Sequence, residues 1–144
     1  MTILDLLPIL LRIAGGGLIL LAIVHIPIGR HLRWSEDAAR LTPVNRDIFH
    51  VHSLFVCLML VAMGLPCLIE PSLLVEQSRP GAWAAWTLTA FWAVRLYCQF
   101  FVYRRELWHG KPFETAVHRL FTVLWISLTT VFALCAARQS GWLA

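Results

Sequence analysis

The chain has 144 residues, of which 59% are hydrophobic and 14% charged, with a mean hydropathy of +0.72 and a formal net charge of +4. Soluble domains carry about 25% charged residues, so this composition excludes an ordinary water-soluble globule and makes the bilayer the expected solvent. The small positive balance calls for no nucleic-acid partner, because its uneven distribution along the chain fits anionic lipid headgroups.

Four hydrophobic stretches fall at residues 10–28, 48–69, 82–103 and 113–137, the first with a possible earlier start at Ile3. Each approaches the ~20 residues that a helix needs to cross ~30 Å of hydrocarbon. None alternates as a barrel strand would, and in lipid a helix is the remaining way to satisfy the backbone internally. The expected fold is all-α: an integral membrane antiparallel four-helix bundle in a single domain.

The N-terminal Met-Thr-Ile-Leu-Asp has no basic region, so the first stretch reads as a retained span and not as a cleaved signal. Within it, Gly15, Gly16 and Gly17 permit close helix approach. Pro27 deprives the Ile23 carbonyl of its usual partner, which beside His25 either shapes a pocket or ends the helix. In the connection 29–47, Ser35 followed by Glu36 and Asp37 reads as the capped start of a short interfacial helix. Thr42 and Pro43 read as the N-cap and first position of the second span. Cys57, Cys67, Cys98 and Cys135 show no C-x-x-C spacing and read as small buried hydrophobes. There is no internal repeat.

Four crossings place both termini on one side. Arg30, Arg33, Arg40, Arg46, Arg104, Arg105 and Lys111 fall on the opposite side, against Arg79, Arg138 and an ambiguous Arg12. The positive-inside rule therefore expects a multi-pass protein of the cytoplasmic (inner) membrane with both termini outside. Trp34 and Trp108 lie near the basic side and Trp83, Trp86 and Trp142 near the other, as interfacial belts require.

Every stretch carries a polar residue that is costly in hydrocarbon, and such residues mark sites by default. Counting ~1.5 Å of rise per residue from Arg30, Arg46, Arg104 and Lys111, His25, His52, Gln99 and His118 lie ~8–10 Å inside the basic boundary and Arg95 ~13 Å. If these faces point inward, they line one pocket open toward the cytoplasm. Arg95, Gln99 and Tyr103 follow at i, i+4 and i+8 and form one polar stripe. No acid sits at that depth, the nearest being Glu106 and Glu114. Arg95 therefore either snorkels to Glu114 or backbone carbonyls, neutralises an anion that the chain does not supply, or meets an acid of a partner subunit.

Glu114 and His118 are four apart and share a helix face, which suits a metal ligand with its carboxylate or a simple hydrogen-bonded pair. His52 and His118, with Glu114, are the candidate metal ligands; Arg95, Gln99, Tyr103 and His25 are the candidate cofactor-binding residues. His50 lies ~200° from His52 around the helix and reads as a headgroup contact, as does Arg119. His31 and His109 lie in the polar connections.

Three functions compete. Two histidines on facing helices would ligate haem b with Arg95 holding a propionate, or three imidazoles with Glu114 would hold a single transition metal. Alternatively, Arg95, Gln99 and Tyr103 would bind an anionic or quinone-like small ligand in a carrier or lipid-handling protein. Last, the polar layer would dock a partner membrane subunit, making the chain a structural or assembly component. Nothing in the sequence decides whether the protein is an enzyme.

The segments Pro43-Val44-Asn45-Arg46-Asp47-Ile48-Phe49-His50-Val51-His52 and Phe91-Trp92-Ala93-Val94-Arg95-Leu96-Tyr97-Cys98-Gln99-Phe100-Phe101-Val102-Tyr103 resemble elements of a family of small bacterial four-span membrane proteins that are generally labelled uncharacterised. The second element matches the pattern F-W-x-x-R-L-x-x-Q-F, while the first begins Pro43-Val44-Asn45 where Asn-Pro is expected. The resemblance covers most of the chain from the second span onward. It implies a four-span fold and no particular activity or cofactor.

Overall fold

The computed structural model describes residues 2–143, and among these every regular element is helical. Helix α1 (Ile3–His31) opens on a reciprocal cap. The Thr2 N–H donates to Asp5 Oδ2 at 2.8 Å, and the Asp5 N–H donates back to Thr2 Oγ1 at 3.3 Å, which satisfies two donors that a helix start leaves orphaned. The short α2 (Trp34–Ala39) follows, then α3 (Pro43–Ile69), the single turn α4 (Ser72–Val75), α5 (Arg79–Phe101), a 3₁₀ turn at Arg105–Leu107 and α6 (Pro112–Gln139).

Each of the four expected stretches is thus carried by a helix that starts earlier than hydrophobicity marks, while α3 ends at Ile69 as expected and α5 ends at Phe101, two residues short of the expected end. Pro27 neither ends nor interrupts α1, which continues to His31. Thr42 and Pro43 take the expected N-cap and first-turn positions of α3, although the Thr42 side chain makes no capping bond. The start of α2 needs correcting. Its cap position is Arg33, in the left-handed region at φ 56, and Ser35 lies inside the helix. A non-glycine residue is uncommon there; the Arg33 guanidinium ties itself to Glu36 through Nε at 2.8 Å and a second nitrogen at 2.6 Å, both side chains exposed.

Three helices, α1, α3 and α6, are long and apolar enough to cross a membrane. The third expected span, α5, is not among them. Its 23 residues would reach ~35 Å, so length suffices, but Thr87, Thr89, Arg95 and Gln99 dilute its apolar run. Large apolar side chains such as Ile13, Ile23, Val94, Leu120 and Val123 are exposed on these helices, a surface compatible with hydrocarbon as its solvent.

The chain divides into two compact units, one of residues 11–71 and one of the described residues up to 10 and from 72 onward. In the first, α1 and α3 form an antiparallel hairpin whose backbones meet at Gly15 and Gly64. A Cβ on Gly15 would lie 2.5 Å from the Gly64 carbonyl oxygen, and one on Gly64 would lie 2.8 Å from the Gly15 carbonyl oxygen. Of the triple glycine only Gly15 is needed for this approach, since a Cβ on Gly16 or Gly17 would meet nothing within 4 Å. Small residues at such a crossing let helices without a hydrophobic driving force gain van der Waals contact.

In the second unit, α5 and α6 form another antiparallel hairpin. At one end the Ser78 N–H donates to Gln139 Oε1 at 2.9 Å, while Gln139 Nε2 donates to the carbonyls of Leu74 and Glu76 at 3.0 and 2.7 Å. Trp92 stacks on Trp125 midway, and Gln99 meets His118 toward the other end. Among the described residues, Trp92, Phe132 and Cys135 are nearly inaccessible and mark the core of this unit.

Candidate functional site: the Arg95–Gln99–His118 layer

The α5–α6 hairpin concentrates its polar chemistry in one layer. Two stripes at helical spacing face each other: Trp92, Arg95 and Gln99 on α5, and His118, Thr122 and Trp125 on α6. Intervals of three and four residues keep each stripe on one face.

Gln99 is the hub, only 4% exposed. Its Oε1 accepts from Trp125 Nε1 at 3.2 Å and from an Arg95 guanidinium nitrogen at 3.5 Å. Its Nε2 lies 3.0 Å from His118 Nδ1, 3.3 Å from the His118 carbonyl oxygen and 3.4 Å from Thr122 Oγ1. The orientation is self-consistent, with donors around the oxygen and acceptors around the nitrogen. It makes His118 Nδ1 an acceptor and places the proton of the neutral ring on Nε2. Thr122 Oγ1 in turn donates to the His118 carbonyl at 2.8 Å. A buried amide left without such partners would cost about 1–3 kcal/mol, so this set explains how Gln99 is tolerated.

Arg95 is half-buried and its charge is met by π faces. The guanidinium carbon lies 4.5 Å from the Trp125 ring centre and 5.5 Å from that of Tyr103. Its hydrogen bonds, to Gln99 Oε1 and Tyr103 Oη, are both long at 3.5 Å. Among the described residues no acid pairs with it; the ion pairs seen are Arg33–Glu36 and Arg40–Asp37. Cation–π contacts of this kind contribute about 0.5–2 kcal/mol, less than a charge-assisted bond to an anion plus its Coulomb term would add. Most of the five guanidinium N–H donors therefore lack a close acceptor.

Two further donors flank the layer. Trp92, stacked on Trp125 with ring centres 5.3 Å apart, keeps a buried Nε1 without an acceptor. Trp108, stacked on His118 at 4.3 Å and nearly parallel, does the same. Thr115 Oγ1 donates to the Trp108 backbone carbonyl at 2.6 Å.

The sequence-derived candidates separate into groups. Arg95, Gln99, Tyr103 and His118 come together. Tyr103 does so from outside the helix, because α5 ends at Phe101 and Val102 is its C-cap; the expected i+8 stripe is replaced by a turn that brings the phenol back to the guanidinium. Glu114 is exposed and forms none of these bonds; the ring nitrogen Nδ1 of His118 faces Gln99 instead of a carboxylate. His25 and His52 belong to the first unit, where each Nδ1 bonds the carbonyl four residues back in its own helix, Leu21 at 2.7 Å and Ile48 at 3.0 Å. Among the described residues no group of three or more His, Cys, Asp or Glu side chains is close enough to hold a metal ion. Trp125, Trp92 and Trp108 are the contributors that sequence reasoning missed. Trp92 precedes Arg95 by three and Trp125 follows His118 by seven, so the helical interval was the available signal.

Compared with known protein families, curated proteins and solved structures, the chain matches none.

Proposed function

We propose that the chain is a four-helix integral protein of the cytoplasmic membrane that binds an acceptor-rich anionic small ligand, a carboxylate or phosphate, at Arg95. In this reading α5 is the fourth span, carried into the bilayer by its packing on α6, and the basic connections face the cytoplasm with both termini outside. The single observation that carries it is the guanidinium of Arg95, held between Trp125 and Tyr103 with two 3.5 Å hydrogen bonds and no acid partner among the described residues. The buried indole N–H groups of Trp92 and Trp108, whose rings stack on Trp125 and His118, also lack an acceptor among the described residues. A ligand matching this surplus of donors brings acceptors and negative charge. Gln99 and His118 position the arginine and do not themselves supply charge. The reading ranks anion binding above the single-metal alternative because the imidazoles and Glu114 do not cluster.

The test uses the purified full chain in nonionic detergent, with hexanoate as probe and 1-hexanol as its neutral counterpart, followed by ligand-observed NMR. Saturable binding of hexanoate, weak binding of hexanol and an at least tenfold loss in Arg95→Leu are expected, with Arg95→Lys intermediate because lysine keeps the charge but not the fork. Indistinguishable binding of the two probes would sink the proposal. So would an absorbance spectrum showing haem that disappears in His118→Leu.

A further inference from the structure

The α1–α3 unit holds a cleft of about 200 Å³ lined by His25, Ile26, Trp34, Ser53, Leu54 and Cys57, none of which belongs to the Arg95 network. Its most specific wall is the Trp34 indole. A Cβ on Gly29 would lie 3.0 Å from Trp34 Cε3, so glycine leaves the notch in α1 that this ring occupies. Trp34 also meets His25 edge-on, with centres 6.3 Å apart, and Phe49 edge-on at 6.0 Å. The left-handed Arg33 turns the chain immediately before it.

The polar groups of this cleft are set by the helices behind them. His25 Nδ1 lies 2.7 Å from the Leu21 carbonyl oxygen, which only a protonated Nδ1 can bond. The neutral ring therefore presents an acceptor lone pair at Nε2, with no partner among the described residues. Ser53 Oγ donates its one hydrogen to the Phe49 carbonyl at 2.9 Å, leaving only acceptor capacity. Both fixed polar groups accept, the remaining walls are largely apolar, and no Lys, Arg, Asp or Glu lines the cleft.

Complementarity then specifies the occupant. It is mostly apolar, carries a hydrogen-bond donor and has the size of one substituted ring, since a dry cavity of about 150 Å³ accepts benzene. An anion would meet two acceptors and apolar walls with no Lys or Arg to offset its charge, and an acyl chain would leave His25 Nε2 without a donor. We infer that this cleft binds a neutral, membrane-soluble hydroxylated aromatic ring of the phenol or hydroquinone type, its O–H donating to His25 Nε2 and its ring packed against Trp34. The site shares no lining residue with the anion site at Arg95.

The experiment compares 4-tert-butylphenol with 4-tert-butylanisole, in which a methyl group replaces the hydroxyl hydrogen and removes the donor, on the full chain in detergent by ligand-observed NMR. The wild-type protein is expected to bind the phenol at least tenfold more tightly than the ether, the worth of one good hydrogen bond. His25→Leu removes that preference, Trp34→Leu weakens both probes, and Arg95→Leu changes neither. Equal binding of the two probes by the wild type overturns the inference and marks a groove for lipid chains. It is equally overturned if the preference survives in a His25→Leu protein that retains its helicity. The wild-type comparison decides the matter alone should either variant fail to fold.

Discussion

The two hairpins hold themselves together by different physics. In α1–α3 the backbones touch at Gly15 and Gly64, and the polar side chains at depth bond within their own helix: His25 to Leu21, His52 to Ile48, Ser53 to Phe49. In the α5–α6 unit two glutamines bond between elements: Gln99 to His118, Thr122 and Trp125, and Gln139 to Leu74, Glu76 and Ser78. The first arrangement depends on shape, the second on satisfied donors and acceptors. The contrast extends to their candidate ligands. On the readings proposed above, the surplus donors of the α5–α6 layer suit an anion, whereas the surplus acceptors of the α1–α3 cleft suit a hydroxyl.

The largest expected effect breaks the shape-dependent hairpin. Gly15→Val must force α1 and α3 apart, because backbone atoms of Gly64 and Leu68 would lie 2.5 and 2.7 Å from the first added carbon. A loss of about 3 kcal/mol or more is expected, at the upper end of overpacking costs, read as SDS-induced loss of helical circular dichroism. Retention of wild-type stability would show that the approach at Gly15 is not needed.

Next comes the hydrogen-bonded hairpin. Gln99→Leu strips partners from Trp125 Nε1 and His118 Nδ1 and should cost about 2 kcal/mol in the same assay. His52→Leu is the matched control, since His52 is exposed and bonds only its own helix; a change within about 0.5 kcal/mol is expected. Equal losses in the two variants would erase the distinction between the hairpins.

Trp125→Phe sharpens the picture at smaller scale. It keeps an aromatic face for Trp92 and Arg95 but removes the N–H that donates to Gln99, for an expected cost of about 1 kcal/mol. A cost near zero would mean that the face matters and the donor does not. Opposite in sign is Gly16→Ala, where a Cβ meets nothing within 4 Å; alanine's better helix propensity should raise stability by about 0.5–1 kcal/mol. An unfolding midpoint below that of the wild type would contradict the open space beside Gly16.

Part of this candidate layer is legible in the sequence. The spacing of Arg95 and Gln99 places them on one face, and depth by helical rise brings His118 to the level of Gln99. The indoles were not legible as parts of it, because a tryptophan in an apolar run reads the same whether it meets lipid or stacks on a guanidinium. Tyr103 was expected for a helical reason and arrives by a turn. Glu114 shares a helix face with His118 and still stays out, since periodicity fixes which residues are neighbours along a helix and not what the side chains choose across it.

Hydropathy and periodicity by themselves determine that this chain is helical, where its long helices lie and which residues are too polar to be indifferent, because these properties are local. Only the tertiary structure decided that Arg95 rests on aromatic faces without an acid, that one glycine of three carries a helix contact, and that His25 faces a cleft of its own. Those outcomes depend on which atoms from distant segments share a space, and one-dimensional spacing does not encode that.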